Sequence, residues 1–217
     1  VSAVRVLVTG FEPFGGEADN PTVAALAALA AAAPAHPGIA VTTRVLPVDF
    51  ARASEALEAA VRAADPAAVI ALGLAAGRRE VTPERAAINI ADARIADNAG
   101  AQPIDEPLEP GGPAGAFATL PIKAITADLR AAHIPAAVSQ TAGTYVCNAV
   151  FYRLMRVCQD LGARGGRAPA AGFVHVPHTR DMDQERIAAA VLRCVLTTAA
   201  HVRSGRPDLR AAGGAEA

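Results

Sequence analysis

Cys147 stands in the stretch SQTAGTYVCNAVFYRLMRV, residues 139 to 157, where an amphipathic helical pattern begins. A thiol in the first turn of a helix faces unpaired N–H groups and the positive end of the helix dipole, and both favour the nucleophilic thiolate. The same setting suits a small core filler, which free cysteine is more often than not. Cys158 falls among Leu154, Met155 and Leu161 on the same helical pattern, and Cys194 lies in VLRCVL; both read as core. A thiol nucleophile needs a base, and GFVHVPH offers two imidazoles three residues apart. His175 ends an apolar run with strand character, where α/β sites assemble, whereas His178 follows a proline and belongs to a loop. His36, His133 and His201 sit in helix-flanking or exposed contexts. Glu84, in VTPERAAIN, is the acidic residue in the most apolar surroundings and could orient the imidazole, although with Arg85 it reads equally as a surface turn.

The segment GFEPFGGEADNP, residues 10 to 21, follows the first apolar run. Its glycines match neither GxGxxG nor GxxxxGK[ST], so they carry little nucleotide signal. Phe11 and Phe14 are unusual in such a loop. They suit either an apolar slot for a small flat ligand or a plug packed on the core.

Elements that could position these groups alternate along the chain. VRVLV at 4 to 8, IAVTTRVLPV at 39 to 48, AAVIALGL at 67 to 74, AAVS at 136 to 139 and AGFVHV at 171 to 176 read as buried strands. Asn20 before Pro21 marks a helix start, and the Ala/Leu run continues to about Ala33. Helical spacing recurs over 52–64, about 121–133, 147–161 and 183–203. The alternation predicts an α/β fold, a three-layer α/β/α sandwich with a largely parallel, mixed sheet. Residues 89 to 120 form a Pro/Gly/Asp-rich segment too long for a mere connector and are expected to be a functional or interface loop. RGGRAP at 164 to 169 reads as a surface loop. From Ser204 onward there is too little apolar surface for the chain to order itself, which leaves one catalytic domain over 1–203 and a disordered tail over 204–217. There is no internal repeat.

The chain has 217 residues, 52% of them hydrophobic, and a net charge of −1. That balance offers no basic stripe for nucleic acid, and no apolar run approaches the roughly 20 residues a bilayer requires. The opening VSAVRVLVTG is too short and wrongly flanked for a signal peptide, although without an initiator Met the true start need not be Val1. Three cysteines with no CxxC pair give neither a disulfide framework nor a zinc site, so reduced thiols and a cytoplasmic location are expected.

Taken together and in order, GFEPFGGEADNP, ERAAINIADARIADN, SQTAGTYVCN and GFVHVP closely resemble the pyroglutamyl peptidase I family, also called pyrrolidone-carboxylate peptidases, over about residues 4 to 203. The resemblance implies a Cys147–His175–Glu84 triad and puts Arg94, otherwise a solvated charge, near the nucleophile with an oxyanion role. It implies a lactam slot among Phe11, Phe14 and Tyr145 with Asn20 for polar contact, N-terminally pyroglutamylated peptides as substrates, no metal or cofactor, and a homotetramer. Two departures stand out. GLAAGR replaces the family's frequent GQAGGR, which puts Leu74 where a polar side chain often borders the substrate, and RGGRAP lengthens the spacer between Cys147 and His175. Pro83 beside Glu84 is a further local oddity. Two other classes compete: a binding protein or inactive relative that holds a cyclic amide, and a nucleoside phosphorylase, which would need phosphate and ignore thiol alkylation.

Overall fold

A computed structural model describes residues 2–214. A seven-stranded sheet forms its middle layer. In chain order the elements are β1 (Val4–Phe11), α1 (Pro21–Ala32), β2 (Ile39–Leu46), α2 (Phe50–Ala64), β3 (Ala68–Leu74), β4 (Thr82–Ile88), β5 (Gly115–Phe117), α3 (Ile122–Ala131), β6 (Ser139–Thr141), α4 (Val146–Ala163), β7 (Ala170–Val176) and α5 (Gln184–Ser204). The strand order is β2-β1-β3-β7-β4-β5, with β6 on β4. β1, β2, β3 and β7 run parallel, β4 is antiparallel to β7 and to β5, and β6 is parallel to β4. The expected mixed, largely parallel sheet is therefore what forms.

The central strands are apolar on both faces because helices cover both. Every residue of β3 is buried, as a parallel strand between helical layers requires. Val6, Val8, Ile70, Leu72, Val174 and Val176 point toward α1, α3 and α5. Leu7, Phe11, Val69, Ala71, Ala171 and Phe173 point toward α2 and α4. Helix starts follow local chemistry: the Asn20 side chain accepts from Thr22 N, Asp49 accepts from Ala51 N and Arg52 N, and Asp183 accepts from Arg186 N. Helix α5 is long and apolar enough to cross a membrane by length and composition. Its apolar stripe, Ile187, Ala190, Val191, Cys194 and Val195, is however buried in the core.

Some of the sequence expectations need correction. Residues 82–88, to which the sequence pattern assigns no element, are β4, and residues 115–117, inside the expected loop, are β5. The signal was hidden by Pro83 and Glu84, which hydrophobic patterning counts against a strand. Pro83 is accommodated because pairing to β7 stops there and pairing to β6 begins at Glu84, so the missing N–H interrupts neither ladder. The strand expected at 136–139 is displaced: Ala136 makes a single bridge to Val81, and the regular pairing is at Ser139–Thr141. Residues 205–214 have no helix or strand but are held by contacts to α3. Asp208 accepts from Lys123 N and Ala124 N, which serves a helix whose N-cap, Pro121, has no capping side chain, and Lys123 Nζ reaches Ala211 O at 2.9 Å. Residues 215–217 of the tail lie outside the described residues.

Candidate active site

Strand register gathers the polar groups. Residue 175 of β7 pairs with Gly73 of β3 on one side and Thr82 of β4 on the other. Side chains alternate with period two, so Thr82, Glu84 and His175 share the face covered by α4. There Glu84 is fully buried and His175 is 4% exposed. His175 Nδ1 lies 2.7 Å from Glu84 Oε1. A buried carboxylate accepts, so Nδ1 carries the proton and Nε2 is left with its lone pair.

Helix α4 brings the thiol. Tyr145 is its N-cap but makes no capping hydrogen bond with its side chain, and Cys147 is the second helical residue. Among the described residues the N–H groups of Val146 and Cys147 have no backbone acceptor, that of Cys147 facing its own sulfur, whereas Asn148 N and Ala149 N both reach Tyr145 O. A Cβ built on Gly73 would stand 2.9 Å from Cys147 Sγ and 2.7 Å from the Phe173 ring. Only glycine at this position lets the sulfur lie against the sheet beside the strand that carries His175. Burial, and then the Glu84 carboxylate, push the Cys147 thiol up to about 12; Arg78 pulls the other way without cancelling them. The helix N-terminus therefore does not by itself lower this thiol, and a base within reach is needed to take its proton.

Residues 89–114 wrap the N-terminus of α4. The Asn148 side chain is fully buried and bonds Ile88 N, Ile88 O and Ile90 O; Thr144 Oγ1 donates to Asp92 O, and Tyr145 Oη donates to Ala96 O at 3.1 Å. Asp97 fastens the same segment to α2, accepting from Phe50 N, Ala99 N and Ala101 N. Burial alone would raise its carboxyl, but these backbone donors outweigh burial and hold it below the usual carboxylate range.

Beside the sulfur is a narrow cavity of about 10 Å3 lined by Phe11, Phe14, Asn20, Val48, Leu74, Tyr145, Val146 and Cys147. Phe11 is the last residue of β1, 2% exposed, and serves core and cavity at once. Phe14 and Tyr145 pack with ring centroids 6.0 Å apart, and Phe50 braces Tyr145 edge-on at 5.5 Å. Leu74 fits this apolar wall. Asn20 is largely committed: Oδ1 accepts from Thr22 N and Thr22 Oγ1, and Nδ2 donates to Glu12 O, which leaves one amide hydrogen. Arg94 is exposed and is not part of the lining. A wider cleft lined by Arg85, Phe117, Lys123, His201 and Arg206 lies along the C-terminal segment, but it contains none of the three grouped residues. Size alone does not make it the site.

A family model described as pyroglutamyl peptidase matches residues 4–202. The chain belongs to the pyroglutamyl peptidase family. Pyrrolidone-carboxylate peptidase of Clavibacter michiganensis subsp. michiganensis is 48% identical, covering 94% of this chain and 98% of that one. The Streptomyces coelicolor protein of the same name is 47% identical, covering 97% and 98%. Among solved structures, pyrrolidone carboxyl peptidase from Thermococcus litoralis superposes with a TM-score of 0.87 at 37% identity over 96% of this chain and 99% of that one. Pyroglutamyl peptidase I from Bacillus amyloliquefaciens gives 0.84 at 36% over 95% and 100%. Members of this family are cysteine-type hydrolases. Sequence reasoning missed Val48, Asn148 and Arg78; Asn148 alone gave a hint, as a polar residue one position after the cysteine on an otherwise apolar helix face.

Proposed function

We propose that this chain is a cysteine exopeptidase that removes an N-terminal pyroglutamyl residue through a thioacyl intermediate, with Cys147, His175 and Glu84 as its triad. The observation that carries the assignment is the buried 2.7 Å pair of His175 and Glu84 on the sheet face against which the sulfur of Cys147 lies. The Cys147 proton passes to His175 Nε2 as the sulfur attacks the pyroglutamyl carbonyl. Glu84 fixes the tautomer and steadies the imidazolium. His175 then protonates the departing amine, and in the second half it takes a proton from the water that clears the thioester. The open N–H groups of Val146 and Cys147 at the helix start are suited to the developing oxyanion. The family resemblance adds Arg94, which, being exposed, would act by closing over bound substrate.

A pyroglutamyl ring is a neutral lactam, so its pocket needs shape and apolarity and no carboxylate to hold an ammonium. The wall of Phe11, Phe14, Val48, Leu74 and Tyr145 meets that need, and the spare amide hydrogen of Asn20 can meet one lactam oxygen. Leu74 supplies no polar group, which leaves recognition to fit. Three free thiols, one of them the nucleophile, suit a reducing cytoplasm, and the resemblance supports a homotetramer, which light scattering would check. The reading is tested by rates on matched chromogenic amides. The pyroglutamyl amide should exceed the glutaminyl and prolyl amides about a thousandfold or more in kcat/KM, since each of these would bury an unpaired ammonium. Similar kcat/KM for pyroglutamyl and glutaminyl amides would refute selection by this cavity.

A further inference from the structure

Arg78 lies in the turn between β3 and β4, in a run, GRRE, that reads as solvated charge. The turn closes through Arg78 N to Ala75 O, with Gly77 at φ +88, a conformation that favours glycine. It sends the two arginines different ways. Arg79 is 86% exposed, 3.9 Å from Asp181. Arg78 turns inward: Nη1 lies 2.6 Å from Glu84 Oε1 and 2.6 Å from Thr82 Oγ1, and Nη2 reaches Thr141 O at 3.4 Å. His175 and Arg78 therefore share one carboxylate oxygen, while Glu84 Oε2 is buried with no partner among the described residues.

We propose that Arg78 is a positioning residue of the triad, holding Glu84 ionised and aimed at His175 Nδ1 throughout the catalytic cycle. A fully buried carboxylate facing a neutral imidazole lacks a counter-charge. A protonated Glu84 could donate to Nδ1, which would move the imidazole proton to Nε2 and leave no lone pair for the thiol proton. The guanidinium removes that option whenever His175 is neutral. When His175 is protonated it shares the oxygen with the imidazolium, so the imidazolium is not locked there and can release its proton to the leaving amine. Among the described residues, the charged and titratable groups gathered around this imidazole are Glu84 from β4, Arg78 from the turn, which reaches it through the same carboxylate oxygen, and Cys147 from α4, which lies against Gly73; Gly73, Thr82 and Phe173 bound it otherwise. Arg78 also acts on the thiol, as the cation that offsets Glu84 there.

The inference rests on the proposed triad, and its test has one arm that needs no peptidase activity. Arg78→Ala and Arg78→Lys are compared with wild type for turnover of a pyroglutamyl amide, for alkylation of Cys147 by iodoacetamide across pH, and for thermal melting. Arg78→Ala should lower kcat at least about tenfold with KM within about threefold, since Arg78 does not line the cavity. Its alkylation should slow and shift to higher pH, and added guanidinium should restore part of both rates, which it could not do for a lost loop tether. Arg78→Lys should fall between, because an ammonium cannot bond Glu84, Thr82 and Thr141 together. A folded Arg78→Ala with kcat within twofold of wild type, or with an unchanged alkylation profile, overturns the proposal. If Arg78→Ala does not fold, Arg78→Lys indistinguishable from wild type does the same. If the wild type itself does not cleave the amide, the function reading fails and alkylation alone decides the role of Arg78.

Discussion

His175 and His178 differ by three residues and by nearly everything around them. The first is buried against Glu84; the second has Nδ1 accepting from Arg180 N, with Nε2 3.8 Å from Glu17 at the rim of the aromatic loop. His175→Ala should therefore abolish turnover and slow alkylation of Cys147, and His178→Ala should do neither; equal losses would break the assignment. Cys147→Ser should lose at least roughly two to three orders of magnitude in kcat, and Cys158→Ala, which removes a buried thiol away from the cavity, should keep most activity. Mass mapping of the alkylated protein checks both. The imidazole was legible in the sequence as a strand end, a local signal, whereas the thiol at its helix start read equally as core filler until the family resemblance was added. Glu84 was only half legible, since its burial depends on β4 lying between β7 and β6. Arg78 was not legible at all: nothing in GRRE tells which arginine turns inward until the left-handed Gly77 and the neighbouring carboxylate are in place.

At the scale of elements, the precision of the site rests on the start of α4, and that start is clasped by the segment expected to be a functional or interface loop. Asn148 and Thr144 bond its backbone directly, and Asp97 ties the same segment to the first turn of α2. Asp97→Ala should remove three accepted hydrogen bonds, lower stability by about 1–2 kcal/mol as lost caps do, and raise KM more than it lowers kcat, because Tyr145 loses its anchor at Ala96 while the triad is untouched. Thermal melts and steady-state kinetics on the variant check this; an unchanged Tm would show that the clasp is not under load. The positions of β1, β2, β3, β7 and all five helices follow from apolar periodicity, with the Asn20 cap marking the start of α1, which is why they could be read. β4 and β5 could not, and β6 only in the displaced form 136–139: they are short or interrupted by Pro83 and Glu84, and they are strands only because neighbours pair with them.

For the molecule as a whole, two helical layers over one sheet bury Cys158 and Cys194, whose thiols burial pushes from 9.0 up to about 12. The unfolded chain releases these protons above pH 9 while the folded chain retains them. Stability must then fall as pH rises from about 9 toward 12, where the folded thiols also ionise. Melting temperatures should decline across that window, and the decline should be shallower in Cys158→Ala/Cys194→Ala, whatever its Tm at neutral pH; parallel declines would contradict the burial argument. The same fold holds an apolar cavity against a thiol that becomes nucleophilic only when its proton leaves, and this is the central claim for catalysis. It is tested most directly by acid-quenching the enzyme during turnover of a pyroglutamyl amide and mapping the acylated peptide by mass spectrometry. The account predicts one pyroglutamyl group, carried on Cys147 and absent from Cys147→Ala together with turnover. Turnover that persists in Cys147→Ala, or an acyl group found on another residue, would contradict it.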